Sequence, residues 1–541
     1  MWQHNYAPVA GSLGWSALLA AFPIFILLYL LGVRRTASWL AALAGLSGMA
    51  AVAILVYGMP VGPLVGAITF GAAFGLFPIG WIIFSAILLY RITVETGKFE
   101  VIKDSIGGLS PDRRIQALLI AFAFGAFIEG ASGFGAPVAV AAAMLTGLGF
   151  SPFYAAGICL LANTAPVAFG SIGTPILVLG GITGLPVERL SAGVGRICAP
   201  ISLCIPAYLI LVMGGWKALR GVLPAVALCG AAFAGVQFAV SNYVGPQLTD
   251  LLSSLAAMLS LVVLLLVWKP KDHFRLEGNC TEDHQGRHIP RRELIAAWTP
   301  YALLVALVLL WGLPSVRPAL ETVTANIPWP GLHNVIVHMP PATARPEPYA
   351  AVFKFNWLAA PGTACLVACI IAAMVLRVSP VRFGKIALNT AKQLLLPELT
   401  IMLVLALAFL MNYCGAAVTL GLAFAATGAL FPFFSSMLGW LGVFLTGSDT
   451  SANALFGKLQ VVTAGRLGLN PILMAAANSG GGVMGKMISL QSIAVAVAAT
   501  GMHSQEEGRL FRFTLRHSVL LGSLIGLVTV FYAYVAPVLA P

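Results

Sequence analysis

The sequence predicts an all-α polytopic membrane protein with about 12 spanning helices plus two re-entrant hairpins, arranged as an inverted repeat. Three observations carry that expectation. Of 541 residues, 59% are hydrophobic and only 9% charged, against about 25% charged in an ordinary soluble domain. Many apolar runs reach the ~20 residues that a helix needs to cross a bilayer. Finally, proline and glycine markers recur at a nearly constant separation along the chain.

In chain order, the apolar runs predict spans near 12–32, 38–57, 62–91, 153–181, 190–213, 221–243, 249–268, 296–313, 357–377, 394–412, 470–500 and 516–537. Two further apolar segments, 114–149 and 431–466, are broken at their centres by small and polar residues, and each predicts a re-entrant helical hairpin. Residues 1–11 hold no Lys or Arg, so no secretory leader is expected. Lys and Arg cluster at alternate connections: 22 of the 30 basic residues fall on one side if the N-terminus is periplasmic, and the segments near 58–61, 244–248 and 413–418 hold none. The positive-inside rule therefore predicts an outside N-terminus. It also accounts for the net charge of +12 without invoking nucleic acid. The 314–353 segment becomes an outer cap. Eight cysteines (159, 198, 204, 229, 280, 365, 369 and 414) fall mostly in apolar runs and read as small hydrophobes. The histidines lie in loops or near span ends, which argues against a haem or metal centre inside the membrane.

The repeat sets the domain organisation. Pro78 and Pro397 are 319 residues apart, Gly97 and Gly415 318, Gly130 and Gly447 317, and Pro152 and Pro471 319. After a shortening of about one helical turn, Asn163-Thr164 aligns with Asn478-Ser479, and Gly170 with Gly485, at an offset of 315. The predicted topology puts the two copies in opposite orientation, as in many secondary transporters. The division expected is 12–213 (hairpin 114–149, broken helix 153–181), linker helices and a cytoplasmic loop over 214–295, and 296–537 (cap 314–353, hairpin 431–466, broken helix 470–500).

Within this frame two hairpin tips and two broken spans, 163–175 and 478–491, are expected to face one another. A charged side chain inside the membrane costs ~3 kcal/mol or more and is usually functional. Glu129 on one tip and Asp449 on the other are thus the candidate proton carriers; the bland alternative for each is a structural buried acid. Ser132, Gly133, Asn163, Thr164, Ser448, Thr450, Ser451, Asn478 and Ser479 are the candidate neutral contacts to substrate. Interhelical hydrogen bonding is an equally good account of any one of them taken alone. Lys486 could pair with a substrate carboxylate, or snorkel to the cytoplasmic surface. Unwound helix ends would add partial positive charge suited to a small anion. Gly480-Gly-Gly-Val-Met-Gly-Lys486 mimics part of a phosphate loop, but Met487 follows where Ser or Thr is needed and no strand precedes it. Lys354, Arg196 and Glu398 read as an interfacial anchor, a span-end charge and a partner for Lys392.

Several of these segments resemble the bacterial L-lactate permease family. They are the Phe124–Pro137 stretch, Asn163-Thr-Ala-Pro-Val-Ala-Phe-Gly170, Tyr349-Ala-Ala-Val-Phe-Lys-Phe355, Trp440–Ser451, Gly485-Lys-Met-Ile-Ser489 and Phe511–Ser518. The likeness runs essentially end to end. It implies proton-coupled import of lactate, glycolate and related short 2-hydroxymonocarboxylates across the inner membrane, with no cofactor beyond the proton motive force. It also implies kinship with ion-transporter-superfamily folds, in which a transport domain moves against a scaffold. Two positions depart from the family pattern: Leu490 replaces a proline, and Asn356 stands where an Asp is common. A sodium-coupled carboxylate symporter is the runner-up, with a channel or sensor behind it. An intramembrane enzyme lacks any motif. The assembly state stays open between monomer and homodimer.

Overall fold

The computed structural model describes every residue except Phe134, 271–273, 275–289, Pro314, Ala342, Ala344, Ser504, Gln505 and Pro541. Cys280 and three of the basic residues of the expected cytoplasmic loop (Lys271, Arg275 and Arg287) lie outside the described residues, as does Phe134 of the first tip. Among the described residues, 12 helices are long and apolar enough to cross a membrane, or 13 if the bent pair Pro152–Ala162 and Val167–Thr183 is one span. The helical membrane class holds.

Helix starts follow local chemistry. Proline occupies the first or second position of Pro152–Ala162, Leu223–Tyr243, Pro361–Val375, Pro380–Cys414, Phe431–Thr446 and Pro471–Lys486. There its missing N–H costs nothing and its φ already suits the helix. Ser379, Asn470 and Ser489 cap the helices that follow them by accepting first-turn N–H bonds. Two boundaries differ from expectation. Pro361–Val375 has only 15 residues, because Asn356-Trp357 and the residues after it form a turn rather than a first helical turn. Pro380–Cys414 has 35 residues, its polar and largely exposed first third extending the helix well before the apolar 394–412.

The first hairpin is Arg113–Ala131 followed by Ala136–Gly147, and the second is Phe431–Thr446 followed by Asp449–Leu467. Arg114 anchors the base of the first. It is fully buried, gives Nε to Asp112 Oδ1 at 3.0 Å and Nη2 to Asp112 Oδ2 at 2.7 Å, and reaches the Ala218 carbonyl at 3.2 Å. Pairing of this kind is what makes a buried guanidinium tolerable.

The two broken spans are not alike. The first bends by 62° through the irregular segment 163–169, and Ser171, Ile172 and Gly173 follow with φ of 45°, 57° and 73°. The second does not open at its glycines. Pro471–Lys486 is one uninterrupted helix, and only 487–489 separate it from Leu490–Thr500. Asn478 and Ser479 are therefore helical, contrary to the sequence expectation. The physical reason is close packing. A Cβ on Gly439 would lie 1.8 Å from the Asn478 carbonyl oxygen, one on Gly481 1.9 Å from that of Ser436, and one on Gly485 2.3 Å from that of Trp440. The glycines let two backbones touch instead of breaking one, a recurrent device of membrane helices.

The segment expected to form a cap adds short strands that the sequence reading did not foresee. Trp2–Gln3 pairs in parallel with Ile336–His338, which pairs in turn with Glu347–Pro348; Ala325–Pro328 and Val352–Phe355 form a separate ribbon. His4 sits beneath the cap, with Nε2 2.8 Å from the Tyr413 carbonyl oxygen, Nδ1 3.1 Å from the Tyr6 hydroxyl, and its ring 5.0 Å from that of His338. Burial pushes both imidazoles down to about 4 from an ordinary 6.5.

Two outcomes are expected. Gly481→Ala should cost ~1–3 kcal/mol through overpacking and lower the melting temperature in detergent. Gly465→Ala, on an exposed face with open space around it, should leave it unchanged or raise it. Because His4 and His338 titrate lower when folded than when unfolded, the unfolded chain binds more protons between about pH 6.5 and about 4. Stability present above pH 6.5 is thus lost as pH falls through that window, and the melting temperature of a His4→Asn, His338→Asn double variant should fall less steeply.

Candidate functional site

The two hairpin tips meet at one cavity of about 620 Å³, within the range of small-ligand sites. Its wall includes Glu129, Gly133, Gly170, Ser171 and Thr174 from the first half of the chain, and Ser448, Asp449, Thr450, Ser451 and Lys486 from the second. Pro397, Thr400 and Ile401 of the long helix line another side, together with Ala37, Ser38 and Trp39. Leu490–Thr500 also borders it through Gln491, Ser492 and Val495.

Glu129 is buried in the last helical turn before the first tip, with Oε2 lacking any hydrogen-bond partner. Gly170 makes room for it: a Cβ there would lie 2.6 Å from Oε1. The tip is tied to the first broken span by Ser171, whose hydroxyl donates to the Ser132 carbonyl oxygen at 2.7 Å. Left-handed backbone at a non-glycine residue costs of order 1 kcal/mol and is characteristic of functional sites. Here it holds Ser171 and Ile172 where the helix turns toward Glu129.

Asp449 opens the second arm of the other hairpin, just after Ser448, whose hydroxyl accepts the Ser451 N–H at 3.2 Å. Asp449 Oδ2 accepts from Ser479 Oγ at 2.5 Å and from Asn453 Nδ2 at 3.2 Å, while Oδ1 has no partner. A buried amide chain continues inward, from Asn453 Oδ1 to Asn478 Nδ2 at 2.9 Å and from Asn478 Oδ1 to Gln460 Nε2 at 2.9 Å. Asn453 Nδ2 also reaches the Pro175 carbonyl at 3.2 Å, so one side chain joins the second tip to the first broken span. Lys486 points into the cavity and donates to the Gly447 carbonyl at 2.8 Å.

The sequence-predicted residues therefore divide. Glu129, Gly133, Ser448, Asp449, Thr450, Ser451 and Lys486 line the cavity. Ser132, Asn163, Thr164, Asn478 and Ser479 do not. Ser132 and Thr164 bond to carbonyls of their own helices, Ile128 at 3.0 Å and Leu161 at 2.7 Å. Asn478 and Ser479 act one layer behind, holding Asn453 and Asp449. Asn163 is buried beside Glu129 with neither side-chain atom in a regular hydrogen bond. Sequence reasoning missed Ser171, although it stands at the same offset of 315 from Lys486 as Gly170 from Gly485. Thr174, Thr400 and Gln491 carried no comparable signal, because their approach to the site depends on how distant helices pack.

Chemically, the cavity offers two acids, one ammonium group and several hydroxyls to a small polar anion. A cysteine at Thr450, partly exposed on the wall, should react with a thiol reagent and be protected by a bound short hydroxy acid. A cysteine at Asn478, fully buried, should stay unlabelled under the same conditions.

Comparison with known proteins identifies the family. The family model for L-lactate permease matches residues 16–536. The chain is 46% identical over 555 residues to the L-lactate permease of Bacillus subtilis, covering 98% of each chain. It is 43% identical over 553 residues to the L-lactate permease of Escherichia coli, with 100% of each covered. It is also 44% identical over 552 residues to the glycolate permease GlcA of Escherichia coli, covering 99% of this chain and 98% of that one. Among solved structures, MtrF of Neisseria gonorrhoeae is a distant likeness, with TM-score 0.48 and 14% identity over 88% of this chain and 84% of that one. The chain belongs to the L-lactate permease family.

Proposed function

We propose that this protein imports L-lactate and related short 2-hydroxymonocarboxylates, glycolate among them, across the bacterial inner membrane by proton symport. The observation that carries the reading is the convergence of Glu129, Asp449 and Lys486 on one small cavity between two hairpin tips. Lys486 supplies a fixed positive charge for the substrate carboxylate. The hydroxyls of Ser171, Ser448 and Thr450 are at hand for the 2-hydroxyl group. A proton taken up by Glu129 or Asp449 offsets the charge of the substrate, so that the loaded carrier moves without stranding a bare carboxylate in a water-poor interior. The relatives named L-lactate permease and glycolate permease support the substrate class.

The same reading takes the N-terminus as periplasmic, the hairpins as re-entrant from opposite sides, and the two halves as an inverted repeat. Under that topology the wall at Ala37–Trp39, close in sequence to Arg34 and Arg35, lies toward the cytoplasm. Alternating access follows if the hairpins and broken spans move as a body relative to the long helices. Sodium coupling is less well supported by the geometry. The tip carbonyls that would ligate Na⁺ are engaged, Gly447 by Lys486 and Ser132 by Ser171, and an ammonium group already occupies the wall.

In proteoliposomes, an inward pH gradient should drive lactate accumulation and a sodium gradient alone should not. Glu129→Gln should abolish gradient-driven accumulation while leaving lactate–lactate exchange measurable. Accumulation by Glu129→Gln at the full wild-type level would remove Glu129 from the coupling step.

A further inference from the structure

Beside Glu129 lies a carboxyl group that the account above leaves without a role. Asp250 is the second residue of the helix Thr249–Val267 and is only 1% exposed. An acid at that position ordinarily caps the helix or rests in the field of its N-terminus. Yet neither Oδ1 nor Oδ2 has a hydrogen-bond partner, whereas Thr249 beside it bonds the Gly245 carbonyl at 2.9 Å. Its place is set by close packing on both sides. A Cβ on Gly130, the residue after Glu129, would lie 2.8 Å from Asp250 Cβ, and a Cβ on Gly173 would lie 2.8 Å from the Pro246 carbonyl. The segment 245–250 is thus wedged between the first tip and the left-handed turn of the first broken span.

The titratable groups that face Asp250 are Glu129 from the hairpin and Cys198 from the helix Val187–Gly221; the latter also senses Asp449. Glu129 likewise has an unpartnered carboxyl oxygen. Two buried carboxyl groups that sense one another's charge resist being ionised together; Lys486, which also acts on Glu129, is bonded not to either of them but to the Gly447 carbonyl. We propose that Asp250 and Glu129 form a proton-sharing carboxyl pair, in which Asp250 serves as the reserve acceptor that keeps the coupling proton beside the site while the first tip moves. This rests on the reading that Glu129 carries the coupled proton.

The test is lactate exchange in proteoliposomes at equal internal and external pH, scanned across pH, together with gradient-driven accumulation. Asp250→Asn leaves Glu129 without a like-charged neighbour, so the pH midpoint of exchange should move down by about one unit or more. A merely structural role would lower the amount of active protein and leave the midpoint in place. An unchanged midpoint in Asp250→Asn, with accumulation abolished by Glu129→Gln, overturns the pair and spares the role of Glu129. Full accumulation by Glu129→Gln overturns both. Should Asp250→Asn fail to insert, infrared titration of Glu129→Gln decides the matter. The carboxyl signal that remains is expected to titrate at lower pH than in the wild type, and an unmoved signal overturns the pair.

Discussion

A carboxylate removed from water must find a cation, a set of donors or a proton, and the centre of this protein is arranged around that requirement. Asp449 meets half of it with Ser479 and Asn453. Glu129 and Asp250 meet less of it, each keeping oxygens without partners. Full ionisation of all three with nothing bound would carry a desolvation cost of several kcal/mol per ion. Glu129 and Asp449 share one cavity wall with Lys486, while Asp250 lies behind it, packed against Gly130.

Close backbone approach is the second constraint, and it explains why small residues fill this chain. Gly439, Gly481 and Gly485 bring the second hairpin and the helix behind it into contact, so that Ser479 reaches Asp449 and Asn478 reaches Asn453. Gly130 and Gly170 do the same on the other side for Asp250 and Glu129. Without a hydrophobic force between helices in lipid, such contact and the polar bonds that it permits hold the helices in register.

Much of the architecture could be read from the sequence. Long apolar runs revealed the spans, and an acid among glycines at Glu129 and again at Asp449 revealed the two tips. The glycine run 480–482 misled, because glycine serves both to break a helix and to let one be touched, and composition does not distinguish the two. Asn478 and Ser479 stand behind the cavity wall, bonded to Asn453 and Asp449, since their helix does not unwind. Asp250 gave no signal, because an acid at a helix start following Gly-Pro is commonplace on a surface. Only the packing of Gly130 and Gly173 against its segment reveals that this helix start is buried.

The strand Trp2–Gln3 pairs with residues more than 330 positions later in the chain. The amino-terminal strand therefore stays without its partner until the segment carrying Ile336–His338 has been made. His4 likewise completes its contacts with His338 and Tyr413 only once those residues have been made. Closure of the cap is thus an assembly step that needs both halves of the chain.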